Sequence, residues 1–167
     1  MEREFSRLEL SIHVFLDFLR VERNLSENTV EAYRRDLFSF TVLLKEGGVT
    51  TADAVRPAHV ARWLCYLAER GLCSASQNRA LSALRSFLKH QQKYGAIEYN
   101  PLHNIRSPKV GARLPKFLSV EDMRRLLGLY VGDTPAHLLK RTILELLYAS
   151  GLRASELCTL TLSQLQM

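Results

Sequence analysis

The chain has 167 residues and a net charge of +6, with 47% hydrophobic and 24% charged residues, the balance of a soluble globular protein holding one domain or a small domain plus part of another. No apolar run approaches the roughly 20 residues of a membrane span, and the charged stretch Met1 to Leu10 lacks the apolar core of a secretory signal. Cys65, Cys73 and Cys158 are widely spaced with no CxxC pair, so neither a zinc site nor a disulfide framework is suggested, and a reducing, cytoplasmic setting fits best.

The pattern reads as helices nearly throughout. Leu8, Ile12, Phe15 and Leu19 share one face of a first helix, which Asn24-Leu25-Ser26 breaks. Ser26 caps a second helix, with Glu27 at its positive end and Val30, Tyr33, Leu37, Phe40 and Leu44 on its apolar face, ending at Gly47-Gly48. Arg56-Pro57 opens a third, burying Val60, Trp63, Leu64 and Leu67 and closed by Gly71. Ser74 or Ser76 caps a fourth, which runs to about Tyr94-Gly95.

The fourth helix is the most informative. Ala80, Leu81, Leu84, Phe87 and Leu88 fall on one arc; Arg79, Ser82, Ser86, Lys89 and Lys93 fall on the opposite one, with Arg85 beside them. No acid occurs from Ser76 to Tyr94. Between Gly71 and Lys116 eight bases face one acid, a charge of +7, which leaves fifteen bases against sixteen acids elsewhere, or −1. Excess positive charge gathered in one segment suggests a surface that meets a polyanion, although a solvated basic face would read the same way. A helix of about 28 Å fits a DNA major groove. Arg34, Arg35, Arg79, Arg85, Lys89 and Lys93 are the expected phosphate contacts, with Thr29, Ser76, Gln77 and Asn78 as positioning or base-reading groups.

Dense prolines and basic residues from Ser107-Pro108-Lys109 to Leu114-Pro115-Lys116 suggest an extended linker over residues 108–116, dividing a domain at 1–107 from a region at 117–167. Ser119-Val120-Glu121-Asp122 reads as a capping box opening another helix. Gly132-Asp133-Thr134-Pro135 punctuates, a helix follows through Ile143, Leu146 and Leu147, and Gly151 interrupts it. A last short helix carries Leu157, Leu160 and Leu162.

The stretch Leu147-Tyr148-Ala149-Ser150-Gly151-Leu152-Arg153-Ala154-Ser155-Glu156-Leu157 resembles the first catalytic box of tyrosine recombinases, especially Xer-type and integrase-like members. Ser26 to Leu37, read as SENTVEAYRRDL, resembles the second helix of their core-binding domain. Asn100-Pro101, Pro108-Lys109 and Leu114 to Ser119 resemble their interdomain linker. The resemblance implies an all-α chain: a four-helix, SAM-like core-binding domain followed by the helical start of a catalytic domain. It implies double-stranded DNA as partner, a paired recombinase subunit, and no small-molecule substrate or cofactor. In the family a tyrosine attacks the scissile phosphate and a free 5′-hydroxyl reverses the attack, so no ATP is needed.

On the matching positions Arg153 is the first phosphate-binding arginine, a role that suits a forked, permanently charged guanidinium. Glu156, three residues on, is placed to orient it. The family's later lysine, His-x-x-Arg box, further His or Trp and nucleophilic tyrosine all follow that box, and Ala154 to Met167 contain no Lys, His, Tyr or Arg. His59-Val60-Ala61-Arg62 and His103-Asn104-Ile105-Arg106 fit His-x-x-Arg but precede Arg153, and Tyr33, Tyr66 and Tyr148 read as packing residues, so no nucleophile is assigned. The expectation is a chain that binds DNA without cutting it. A stand-alone or dominant-negative DNA-binding regulator and a helical interaction scaffold are the alternatives; the basic segment and the Arg153 box weigh against the scaffold.

Overall fold

A computed structural model describes residues 5–103, 105, 107, 117–130, 132 and 134–164. The described residues form helices and no strand, and the chain divides into two compact units, Met1–Ala112 and Arg113–Met167. The expected linker at 108–116 lies outside the described residues.

The first unit contains α1 (Arg7–Val21), α2 (Glu27–Glu46), α3 (Pro57–Glu69) and α4 (Ser74–Lys93). Each starts where its chemistry allows. Ser6 and Glu9 exchange hydrogen bonds across the first turn of α1, and the Ser26 hydroxyl accepts the Thr29 N–H at the start of α2. Pro57 occupies the first turn of α3, where an amide hydrogen would have no helical partner. At α4 the expected serine cap is not what forms. Cys73 is the N-cap residue and makes no side-chain cap bond; Ser74 is already helical, and the Gln77 amide donates back to the Leu72 carbonyl at 2.8 Å.

The helices bury one face each. Leu8, Ile12, Phe15, Leu16 and Leu19 from α1 meet Val30, Leu37, Phe40 and Leu44 from α2, Val60, Trp63 and Leu67 from α3, and Ala80, Leu81, Leu84, Phe87 and Leu88 from α4. Both α2 and α4 touch all three other helices, so their outer faces lie side by side over one core. Phe15 meets Phe87 edge-on at 5.6 Å, and Trp63 lies 5.0 Å from Phe40 while its indole N–H donates to the Ser39 hydroxyl at 3.1 Å. Glu9, although buried, accepts from the Ser6 N–H and hydroxyl and from Lys45 at 2.8 Å, which ties α1 to the end of α2.

The second unit carries α5 (Val120–Gly128), α6 (Pro135–Ser150), α7 (Ala154–Cys158) and a 3₁₀ turn at Leu162–Gln164. Ser119 and Asp122 form the expected reciprocal cap of α5, and Thr134 caps α6 ahead of Pro135. Gly151 ends α6 at φ +66, a left-handed conformation that favours glycine. The last expected helix is two short pieces: Leu157 lies in α7, Leu160 lies between them, and Leu162 opens the 3₁₀ turn 84% exposed. No residue of α5, α6 or α7 is fully buried, and Phe117, Leu129, Leu139 and Tyr148 are exposed.

Candidate nucleic-acid interface

The candidate surface is built on α4 and the neighbouring face of α2. Along α4, about 30 Å long at 1.5 Å per residue, Arg79, Ser82, Lys89 and Lys93 are exposed opposite the buried stripe, and Ser86 is half-buried. No carboxylate lies on this helix. Lys89 and, on α2, Arg35 are exposed and make no ion pair among the described residues. The Lys93 ammonium sits 5.2 Å from the centre of the Tyr94 ring.

Other expected contacts have intramolecular work. Arg79 Nε and Nη2 donate to the two oxygens of Asp36 at 3.0 and 3.1 Å, linking α4 to α2. This carboxylate raises the Arg79 guanidinium above its ordinary value, against burial. Arg85 is half-buried; its Nη2 donates to the Ile105 carbonyl at 2.6 Å and its Nη1 to the Ser107 hydroxyl at 2.8 Å, so it fastens the segment after α4 to the helix. Arg34 Nε lies 3.3 Å from the Glu31 carboxylate. Thr29 shares a 2.9 Å hydroxyl contact with Ser26, Ser76 approaches the Cys73 sulfur at 3.5 Å, and Asn78 is half-buried.

Between the ends of α1 and α4 and the first half of α2 lies a cleft of about 530 Å³ in which Arg23, Tyr33, Ser86, Lys89, His90 and Lys93 come together over an apolar floor that includes Phe15 and Leu25. Arg23 and Asp36 are the two residues that sequence reading missed. Arg23 follows the first helix in a charged stretch that looks like a turn, and Asp36 sits unremarked in the run Arg34-Arg35-Asp36. Burial, then the neighbouring Lys93 charge, holds His90 below its ordinary range against the pull of Glu22, so both work against a positive charge on this ring in the cleft. A second cleft of about 590 Å³, lined by Val14, Phe18, Val21 and Tyr94 with Asp17 and Glu22, is largely apolar and carries no lysine or arginine.

Arg153 stands in the second unit as N-cap residue of α7. Its N–H donates to Glu156 Oε2 at 2.7 Å and its Nη1 to Oε1 at 2.8 Å. The backbone bond first, and the guanidinium second, hold the Glu156 carboxyl below its usual range. Glu156 thus fixes Arg153, whose side chain remains 82% exposed with donors left for an anion. Tyr148 is 56% exposed and Tyr33 is packed against the core of the first unit. Of the two His-x-x-Arg decoys, Asn104 and Arg106 lie outside the described residues. No three His, Cys, Asp or Glu side chains among the described residues gather to hold a metal ion, and no helix there is long and apolar enough to cross a membrane.

Residues 12–93 match the family described as phage integrase, N-terminal SAM-like domain. The chain is 36% identical over 160 residues to tyrosine recombinase XerC of Proteus mirabilis, covering 96% of this chain and 52% of that protein. It is 40% identical over 153 residues to tyrosine recombinase XerD of Pseudomonas aeruginosa, covering 92% and 51%. The crystal structure of a lambda integrase dimer bound to a COC' core site shares the fold at a TM-score of 0.72 and 18% identity, over 96% of this chain and 43% of that one. The chain therefore spans about half the length of the curated relatives it matches, and its residues 12–93 match the SAM-like N-terminal domain of phage integrases.

Proposed function

We propose that this chain binds duplex DNA through α2 and α4 and serves as the DNA-gripping front of a site-specific recombinase. The observation that carries the reading is the α4 surface: four exposed positions of one stripe are Arg79, Ser82, Lys89 and Lys93, with no carboxylate on the helix, inside a domain matched to the integrase family. Phosphate contacts from such a stripe give affinity and register, and they carry no sequence information directly. The domains of this function are residues 1–107 as the core-binding part, a linker at 108–116, and residues 117–167 as the opening of a catalytic part.

In strand exchange Arg153 supplies a guanidinium to the scissile phosphate, where charge builds on the non-bridging oxygens, and Glu156 orients it. Relatives named XerC and XerD favour a paired recombinase subunit as partner and fit chromosome partition and cell division as the setting. These residues alone contain neither the later cationic groups nor an assigned nucleophile, so the chain as given grips DNA without cleaving it. A low-salt gel shift with a duplex probe tests the first claim: the double variant Arg79→Ala/Lys89→Ala loses the shift, and binding equal to the parent overturns the assignment of this surface. A suicide substrate tests the second, since any covalent protein–DNA adduct refutes the inactive reading.

A further inference from the structure

We infer that Asp36 is a positioning residue for phosphate binding and acts through Arg79, an inference that rests on the duplex-binding reading above. Asp36 grips one edge of the guanidinium only, through Nε and Nη2. A guanidinium has five N–H donors in a fixed fork. The Nη1 end makes no hydrogen bond among the described residues, and the side chain is 47% exposed while that of Asp36 is 8% exposed. The anchored edge thus faces the protein and the free end is left for a phosphate.

The pairing spans 43 residues of sequence and joins the two helices that carry the candidate interface. Asp36 lies beside Leu37, which is fully buried in the core, so the carboxylate is mounted on a part of the unit that cannot shift independently. A free arginine side chain gives up rotamer entropy when it is immobilised on a ligand. Held by Asp36, Arg79 is ordered before DNA arrives, and that loss falls on folding instead of on binding.

Simple electrostatics predicts the opposite sign. Removing a carboxylate from a phosphate-binding face makes the face more positive and tightens binding. The two accounts therefore separate in one measurement: duplex affinity by fluorescence anisotropy for the parent, Asp36→Asn, Arg79→Lys and the double variant, each checked for folding by its unfolding midpoint. Positioning predicts that Asp36→Asn weakens binding by about tenfold although the chain gains positive charge, the scale of one charge-assisted hydrogen-bonded contact. Arg79→Lys keeps the charge, loses the fork and weakens binding comparably; the double variant is no weaker than Arg79→Lys alone; Asp36→Glu recovers part of the loss.

Binding by Asp36→Asn as tight as the parent or tighter overturns the inference, as do losses that multiply in the double variant. Should Asp36→Asn fail to fold, Arg79→Lys decides, because parental affinity in that variant means that charge alone suffices. A parent that shows no salt-dependent duplex binding at all removes the duplex reading and this inference together, whereas a binding parent with an indifferent Asp36 removes only the inference.

Discussion

Raising monovalent salt from 50 to 200 mM weakens duplex binding by about 500-fold if all the expected cations but Arg85 reach phosphates. Counting every basic side chain expected at the interface, Arg34, Arg35, Arg79, Arg85, Lys89 and Lys93, puts the log–log salt slope near −5.4 and the loss at about 1,800-fold. The structure subtracts Arg85, which is engaged with the Ile105 carbonyl and the Ser107 hydroxyl. Arg34 stays in the count, because its Nε lies 3.3 Å from Glu31 without a hydrogen bond, and so does Arg79, which Asp36 holds by one edge only. Five phosphates at about 0.9 counterions each give a slope near −4.5. Anisotropy titrations of a labelled duplex at four salt concentrations measure the slope directly. Lys89→Ala then reduces its magnitude by about 0.9, and Arg85→Ala leaves it unchanged. A parent slope near −5.4 that becomes shallower in Arg85→Ala refutes the reasoning, because it means that Arg85 leaves its intramolecular partners to bind phosphate.

Phe87→Ala, which empties a side chain 1% exposed and packed edge-on against Phe15, costs the first unit about 3–5 kcal/mol in urea unfolding, and a loss below about 1 kcal/mol contradicts the packing described. Ser26→Ala removes the α2 cap and costs about 1 kcal/mol, whereas Ser26→Gly costs only a few tenths; equal costs would mean that the hydroxyl bond to Thr29 contributes nothing. Burial pushes the Glu9 carboxyl up, but the Lys45 and Ser6 hydrogen bonds outweigh it and hold the group below its ordinary range. A depressed carboxyl contributes stability above its unfolded value of about 4.3 and loses it as pH falls through the folded value. Lys45→Met is therefore less stable at pH 7 and shows a shallower acid loss than the parent, as read from unfolding midpoints between pH 7 and pH 2; parallel curves would contradict the assignment.

The helices were legible because periodicity is local. Leu8, Ile12, Phe15 and Leu19, expected on one face of α1, are all buried, and so are Val30, Leu37, Phe40 and Leu44 on α2, whereas Tyr33 on α2 and Leu64 on α3, expected with their buried faces, are half-buried. The start of α4 was misplaced for a physical reason. Ser74 and Ser76 have equal capping chemistry, and the choice falls to the turn that leaves α3: Gly71 at φ +76 and the partly buried Leu72 bring the chain round so quickly that Cys73 takes the cap position. Cap preference ranks residue types; it cannot weigh the length of a turn between two packed helices. The roles of Arg79 and Arg85 were hidden for a related reason. Both face solvent in a helical projection, and their partners lie 43 and 20 to 22 residues away in sequence.

Two arginines, Arg79 and Arg153, differ in how much of their geometry is written in neighbouring residues. Arg153 is fixed by its neighbours: Gly151 ends α6 in a left-handed turn, and Glu156 takes both the backbone N–H and the guanidinium within one helical turn. That geometry needs no core, which is why it forms in a unit whose α5, α6 and α7 bury no residue completely. Arg79 needs α2 and α4 packed side by side before Asp36 can reach it. Its donors point outward only as a consequence of the first unit's tertiary structure, so a substitution that loosens the α2–α4 contact disturbs Arg79 without touching it and leaves the Arg153–Glu156 pair unchanged. Charge counting treats both as one positive unit each. Their hydrogen bonds make one a property of a motif and the other a property of a fold.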